Sequence, residues 1–356
     1  MLESITDQID NPDRWSSQVG TAPASGHLDP SKSAAILVVL CSTYPVDILA
    51  TGRRSMTLWK NYYLAESILA ALQALSEAGD PSRLIAGGTD LLLDLQQGRH
   101  SPVHTLVDVT SIPELNTIEI RGEQLFVGAA VPLTQIVASP LLQYHGEALV
   151  EACALIGGPQ VRNTATLGGN VSHALPAGDG TIALLALDAQ AEVASFEGHR
   201  FVPTESLFLG PGKSSLDPRK EILVGFYLPL VRPRQASAFR RVMRPQGVAL
   251  PILNAAIWLF RIDDRIAEIR VAIGPAGPRP LRARETENAL CGKRLTPDVV
   301  ESAFGALLSE ARFRTSPQRA SAGYRRHLAE VLLEETLQAA WNRAANENGL
   351  KPMANG

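Results

Sequence analysis

Apolar residues near the start of the patterned region recur first at a helical and then at an extended period. Ile68, Leu69, Leu72 and Leu75 share one helical face, Gly79 is placed to cap it, and residues 83–86 form a short apolar run that reads as a buried strand. A helical stretch at 90–97 and a strand at 105–109 follow, so helix and strand alternate and a small parallel sheet is expected. Next, 117–120 and 124–128 flank 121–123 as a tight hairpin, and helices are expected at 145–156 and 181–187, which together read as antiparallel α+β.

A Pro- and Gly-rich segment at 210–218 precedes a strand at 222–228, after which Pro229, Pro233 and Arg234 mark a linker and place a domain boundary near residue 232. The remainder offers strands at 237–243, 253–262 and 267–273, with Asp263 and Asp264 in the last turn, and helices at 297–311 and 324–344. Leu328, Val331, Leu332 and Leu337 of the final helix read as core rather than as a coiled-coil seam. Residues 1–55 show no sustained period and read as a poorly structured extension, with Met56 a candidate start; 346–356 read as a tail.

Composition narrows the partners. A chain of 356 residues, 45% hydrophobic and 19% charged, suffices for two or three packed units. Its net charge of −3, with no basic stripe, gives no reason to expect nucleic acid. Apolar runs fall well short of the roughly 20 residues that cross a bilayer. Glu3, Asp7, Asp10 and Asp13 stand where a signal peptide would be positive, so a cytoplasmic protein without a transmembrane segment is expected.

The cysteines Cys41, Cys153 and Cys291 are too dispersed for a disulfide framework and read as buried small apolar residues; they are too few for a four-thiolate iron–sulfur cluster within this chain. The histidines lack metal-ligand spacing and no serine sits in a G-x-S-x-G elbow, so neither a metal centre nor a hydrolase is expected, and no catalytic residue is assigned.

Two glycine pairs carry the chemistry. The first closes the run Leu84, Ile85, Ala86, Gly87, Gly88, Thr89 and Asp90, where a strand breaks into a Gly-rich turn before a helix. Such a turn exposes backbone N–H groups, and the helix N-terminus adds partial positive charge, an arrangement suited to a diphosphate. The second lies in Thr164, Ala165, Thr166, Leu167, Gly168, Gly169 and Asn170, a Gly-Gly turn framed by hydroxyl and amide side chains that donate to phosphate oxygens. Asp179, just before an apolar helix, reads either as an acceptor for sugar hydroxyls or as an N-cap, and Asp90 has the same two readings. The chain has no G-x-G-x-x-G, so a Rossmann site is not expected.

Taken in order, the Ala-Gly-Gly-Thr-Asp turn and the Arg-Asn-x-Ala-Thr-Leu-Gly-Gly-Asn segment resemble the FAD-binding subunits of molybdenum hydroxylases, as in the medium subunit of aerobic carbon monoxide dehydrogenase and the flavin domain of xanthine dehydrogenase. The resemblance spans about residues 57–340. It implies an α+β protein: an FAD-binding fold of the vanillyl-alcohol oxidase (PCMH) type over 56–232, in subdomains of about 56–110 and 111–232, then an α+β domain of the CO dehydrogenase flavoprotein type over 233–345.

By the same resemblance, residues from Leu84 to Asp90 wrap the FAD diphosphate, and Thr164 and the segment from Thr166 to Asn170 hold it from the other side. Asp179 takes a cofactor hydroxyl, Ile156, Gly157 and Leu223 line the flavin, and Arg240 reaches its polar edge. Ile156 departs from the aromatic residue of relatives and Arg240 from their lysine, while His173 is placed to donate to the ring. The resemblance further implies a molybdopterin-binding large subunit and a small subunit carrying [2Fe-2S] clusters, in a dimer of heterotrimers, with this chain passing electrons through FAD to an external acceptor. A stand-alone flavin oxidase or reductase of this fold, and a scaffold without FAD, remain as alternatives.

Overall fold

The computed structural model describes residues 57–244 and 250–345. The expected extension at 1–55, the Met56 start, Cys41 and the tail at 346–356 lie outside the described residues.

Three parallel strands open the fold. They are β1 (Trp59–Leu64), β2 (Ser82–Ile85) and β3 (Val103–Asp108), in the order β1-β3-β2, joined through helices α1 (Ile68–Glu77) and α2 (Leu91–Gln96). Ser67 starts α1 by accepting the Ala70 N–H, a cap worth about 1 kcal/mol, and Ala71, Leu72 and Leu75 form the buried face. The sequence pattern misses β1 because it is an edge strand, exposed beyond Trp59, so it carries no apolar alternation. Gly79 is not a left-handed cap: α1 ends at an extended Ala78, and the glycine is needed because a Cβ there would press on the His104 ring at 2.8 Å.

Next come β4 (Ile118–Arg121) and β5 (Gln124–Gly128), the expected hairpin, then helices α3 (Leu133–Ala138), α4 (Pro140–His145), α5 (Glu147–Leu155), α6 (Pro159–Arg162), α7 (Leu167–Ser172) and α8 (Asp179–Ala186). Strands β6 (Gln190–Ser195) and β7 (Gly198–Pro203), the short pair β8 (Phe208–Gly210) and β9 (Lys213–Ser214), and β10 (Ile222–Pro229) complete this part. β10 inserts antiparallel between β5 and β6, giving the order β4-β5-β10-β6-β7. Sequence pattern reveals α5 and α8 but not the short α3, α4, α6 and α7. Gly168 and Gly169, read as a turn, instead form the first turn of α7.

The last part is a four-stranded antiparallel sheet of β11 (Gln235–Val242), β12 (Leu253–Ile262), β13 (Arg265–Gly274) and β14 (Leu281–Arg282), covered by α9 (Arg284–Leu290), α10 (Pro297–Glu310) and α11 (Ala322–Ala345). Among the described residues no helix is long and apolar enough to cross a membrane.

Strand alternation sorts the side chains into layers, and on β10 the bulge between Leu223 and Gly225 switches the face on which even-numbered residues lie. Phe126, Ile222 and Val224 face α1 and the parallel sheet, while Leu125, Val127, Phe226 and Leu228 face the helices of the middle layer. Phe239, Ala256, Trp258 and Ala272 close that same layer from the four-stranded sheet, whose other face packs on α9–α11. Cys153 is enclosed in the middle layer, whereas Cys291 is exposed, contrary to the expectation of burial, because it follows the last turn of α9.

Candidate functional site

The first glycine pair sits at the C-terminal end of the parallel sheet, where open α/β sheets receive ligands. Gly88 has φ +67°, a conformation that strains other residues. Among the described residues the amide N–H groups of Gly87, Gly88, Thr89 and Asp90 have no hydrogen-bond partner, while the Gly88 carbonyl accepts from Leu92 to start α2. Asp90 stands at the N-cap position of α2 but makes no side-chain cap bond, and its side chain is exposed. Four consecutive unpaired donors in a half-buried turn form a cradle for anionic oxygen.

The second segment lies against the first. A Cβ on Gly87 would overlap the Thr164 carbonyl and come within 2.9 Å of the Ala165 Cα, so the two backbones touch where the glycine permits it. The backbone amides of this segment are already used, so its side chains are what it can offer a ligand. Leu167 donates to Val131, Gly168 donates to Ala129 at 2.8 Å, and Gly169 donates to the Thr166 hydroxyl at 3.1 Å.

Gly168 is a packing glycine, since a Cβ would press on Ala129 at 2.6 Å. Gly169 differs: it is exposed, and a Cβ there would meet nothing within 4 Å except the Thr166 hydroxyl. Its open face leaves room for a ligand. Asn170 accepts the Thr181 N–H at 3.3 Å through Oδ1, and its Nδ2 has no partner among the described residues. The Thr164 hydroxyl is exposed and donates to backbone carbonyls within its own turn.

From Asn170 the contacts run on to Asp179, which is 4% exposed and begins α8 with Gly178 as its N-cap. Its carboxylate is neither a cap nor free: Arg241 Nη1 pairs with it at 2.5 Å and Asn254 Nδ2 donates to it at 2.6 Å. Burial pushes the Asp179 carboxyl above its ordinary range, against the pull of Arg241 and Asn254. Three atoms of this cluster, Arg241 Nε, Asn254 Oδ1 and Thr181 Oγ1, are enclosed without a partner among the described residues. Arg241 also donates to the Leu155 carbonyl beside Ile156 and Gly157. Gly157, at φ +57°, turns the chain so that Arg162 can donate to the carbonyls of Ile156 and Gly157. His173 follows α7, and its ring makes no hydrogen bond among the described residues.

Leu84, Ile85 and Ala86 lead into the first turn, and Leu223 is buried on β10 in the middle layer with Leu167 and Ala165. Arg240 is not brought to this group. It faces the opposite way along β11 and pairs with Glu151 at 2.9 Å, whereas its neighbour Arg241 pairs with Asp179. The missed signal is the two-residue period of a strand: Phe239 faces the middle layer, so Arg241 does as well. Asn254 carries no comparable signal, because an asparagine in an apolar strand is not marked as a partner until the strand is placed.

Comparison with known proteins agrees with the architecture. Residues 54–231 match the model of the FAD binding domain in molybdopterin dehydrogenase, and 237–340 match that of the CO dehydrogenase flavoprotein C-terminal domain. The xanthine dehydrogenase FAD-binding subunit of Escherichia coli O157:H7 is 31% identical over 284 residues, covering 79% of this chain and 95% of that protein. The carbon monoxide dehydrogenase medium chain of Hydrogenophaga pseudoflava is 29% identical, covering 80% of this chain and 98% of that one. The structure of that organism's carbon monoxide dehydrogenase lacking the Mo-pyranopterin moiety superposes with a TM-score of 0.76 over 80% of this chain and 98% of that one. The chain belongs to the FAD-binding family of molybdopterin dehydrogenases: it is a flavoprotein subunit of an oxidoreductase.

Proposed function

We propose that the amides of Gly87, Gly88, Thr89 and Asp90 hold the FAD diphosphate, and that the chain relays electrons from [2Fe-2S] clusters of a small partner subunit through FAD to an external acceptor. The unpaired amide row, in a turn packed against the Thr164 and Ala165 backbone, carries this reading. Leu84, Ile85 and Ala86 set the strand that presents the row. Thr164, Thr166, Leu167, Gly168, Gly169 and Asn170 form the opposite wall, with Asn170 Nδ2 as its free donor. Ile156, Gly157 and Leu223 supply apolar surface beside it. When bound, FAD supplies the redox chemistry, and the protein supplies binding, orientation and charge.

Asp179 and Arg241 act as a pair here. The guanidinium is held in place by the carboxylate, and its enclosed Nε supplies positive charge on the side of the site nearest Ile156. A molybdopterin-binding large subunit completes the cytoplasmic assembly, as a dimer of heterotrimers.

Co-expression with candidate molybdopterin and iron–sulfur subunits, followed by purification and spectroscopy, tests the proposal. The expected result is a three-subunit complex whose flavin is bleached by substrate, together with an isolated chain that keeps its flavin spectrum and turns over no organic substrate. A colourless chain overturns the FAD site; a single chain that oxidises substrate unaided overturns the relay.

A further inference from the structure

We propose that the turn leading into α11 is a second binding site, for a phosphate group, built by Arg314, Arg319 and Arg325. It stands apart from the flavin reading and does not depend on it. Arg325 is 2% exposed, and its Nε is enclosed without a hydrogen-bond partner among the described residues. Arg241 and Arg282, with side chains 5% and 7% exposed, are each paired with carboxylates, Arg241 with Asp179. Arg282 pairs with Glu287 and with Asp188, and donates to the Leu185 carbonyl. An arginine cannot shed its proton, so a buried one without a carboxylate must be balanced in another way.

The direction of Arg325 indicates where that balance is supplied. Helical side chains lean toward the N-terminus of their helix, and Arg325 lies in the first turn of α11. It therefore points back at the turn that holds Arg314 and Arg319, neither of which has a hydrogen bond or ion pair from its side chain among the described residues. Burial and mutual repulsion weaken the hold of Arg319 and Arg325 on their protons: Arg314 acts on both, and Arg319 acts on Arg325.

The turn is shaped independently of any ligand. Ser316 and Ala320 exchange backbone bonds of 2.9 and 3.1 Å, Thr315 accepts the Ala322 N–H, and Ser321 accepts the Tyr324 N–H. Three guanidinium groups are thus gathered at the positive end of a 24-residue helix with no carboxylate paired to them among the described residues. One carboxylate would leave most of this charge unbalanced. A dianionic phosphate matches it, and its oxygens fit the planar donor fork of arginine.

Isothermal titration of the flavin-loaded full chain with inorganic phosphate, against chloride at equal ionic strength, tests the site. Adenosine monophosphate in a parallel titration shows whether an esterified phosphate is also taken. The expected result is saturable phosphate binding, weakened about tenfold in Arg319→Ala, the loss of roughly one charge-assisted hydrogen bond. Arg325→Met should abolish it while leaving the melting temperature unchanged or raised, because an apolar side chain of similar length replaces an unpaired charge. No saturable heat with phosphate, or equal affinity in wild type and Arg325→Met, overturns the proposal.

Discussion

Two glycines of the candidate site separate packing from ligand approach. A methyl group on Gly87 collides with the Thr164 backbone, so Gly87→Ala should lower stability by about 1–3 kcal/mol, as overpacking does, and lose FAD as a consequence. Gly169→Ala meets nothing but the Thr166 hydroxyl; it should leave the melting temperature of the flavin-free protein nearly unchanged and still weaken FAD binding. Thermal melts with flavin titrations check both, and equal affinity in Gly169→Ala would remove the open face from the site. The paired arginines divide in the same way. Arg241→Ala should strip flavin from the protein, whereas Arg240→Ala should keep it at wild-type occupancy, because Arg240 belongs to the Glu151 pair on the other face of β11. Flavin-to-protein absorbance after gel filtration reads the difference.

Among the elements, β11 shows how an edge strand is secured. Its Phe239 N–H donates to Glu151 on α5 at 2.8 Å, and Glu151 also receives Arg240 and, at 2.6 Å, Arg343 of α11. Burial alone would raise the Glu151 carboxyl; Arg343, the Phe239 amide and Arg240 outweigh it and hold it below its usual range. A depressed folded value means stability present in full above the unfolded glutamate value of about 4.3 and lost as pH falls through the lower folded one. Glu151→Gln should therefore cost about 1–3 kcal/mol at neutral pH, with the gap to wild type closing below about pH 4. Urea titrations at both pH values test this; a gap that stays constant rejects the charged state as its source. The same region shows what was legible in the sequence. Long periodic elements such as α1, α10, α11 and β12 are written in their apolar spacing, and both glycine segments in their residue types. Edge strand β1 and the short helices α3, α4, α6 and α7 are not, because each buries too few side chains to leave a period. Which of Arg240 and Arg241 shares a face with Asp179 required the register of β11, which one sequence reveals only through Phe239.

At the scale of the whole molecule, the family models meet between residues 231 and 237, yet the core does not divide there. Leu125, Leu149, Leu167 and Leu223 pack in one cluster with Phe239, Ala256, Trp258 and Ala272 of the four-stranded sheet. The site crosses the same line: Arg241 and Asn254 hold Asp179, Asn254 donates to the Ala177 carbonyl at 3.1 Å, and Arg282 donates to the Leu185 carbonyl at 3.3 Å. Burying one continuous apolar layer makes opening either half expose the other, so calorimetry of residues 56–356 should give a single transition with matching calorimetric and van't Hoff enthalpies. FAD binds the folded state and touches residues on both sides of 231–237 in the proposed site, so excess flavin should move that one transition upward as a unit. Two resolved transitions, with flavin shifting the lower or the upper alone, would mean that the shared layer is too weak to couple the halves and that Arg241 and Asn254 contribute little to holding the cofactor.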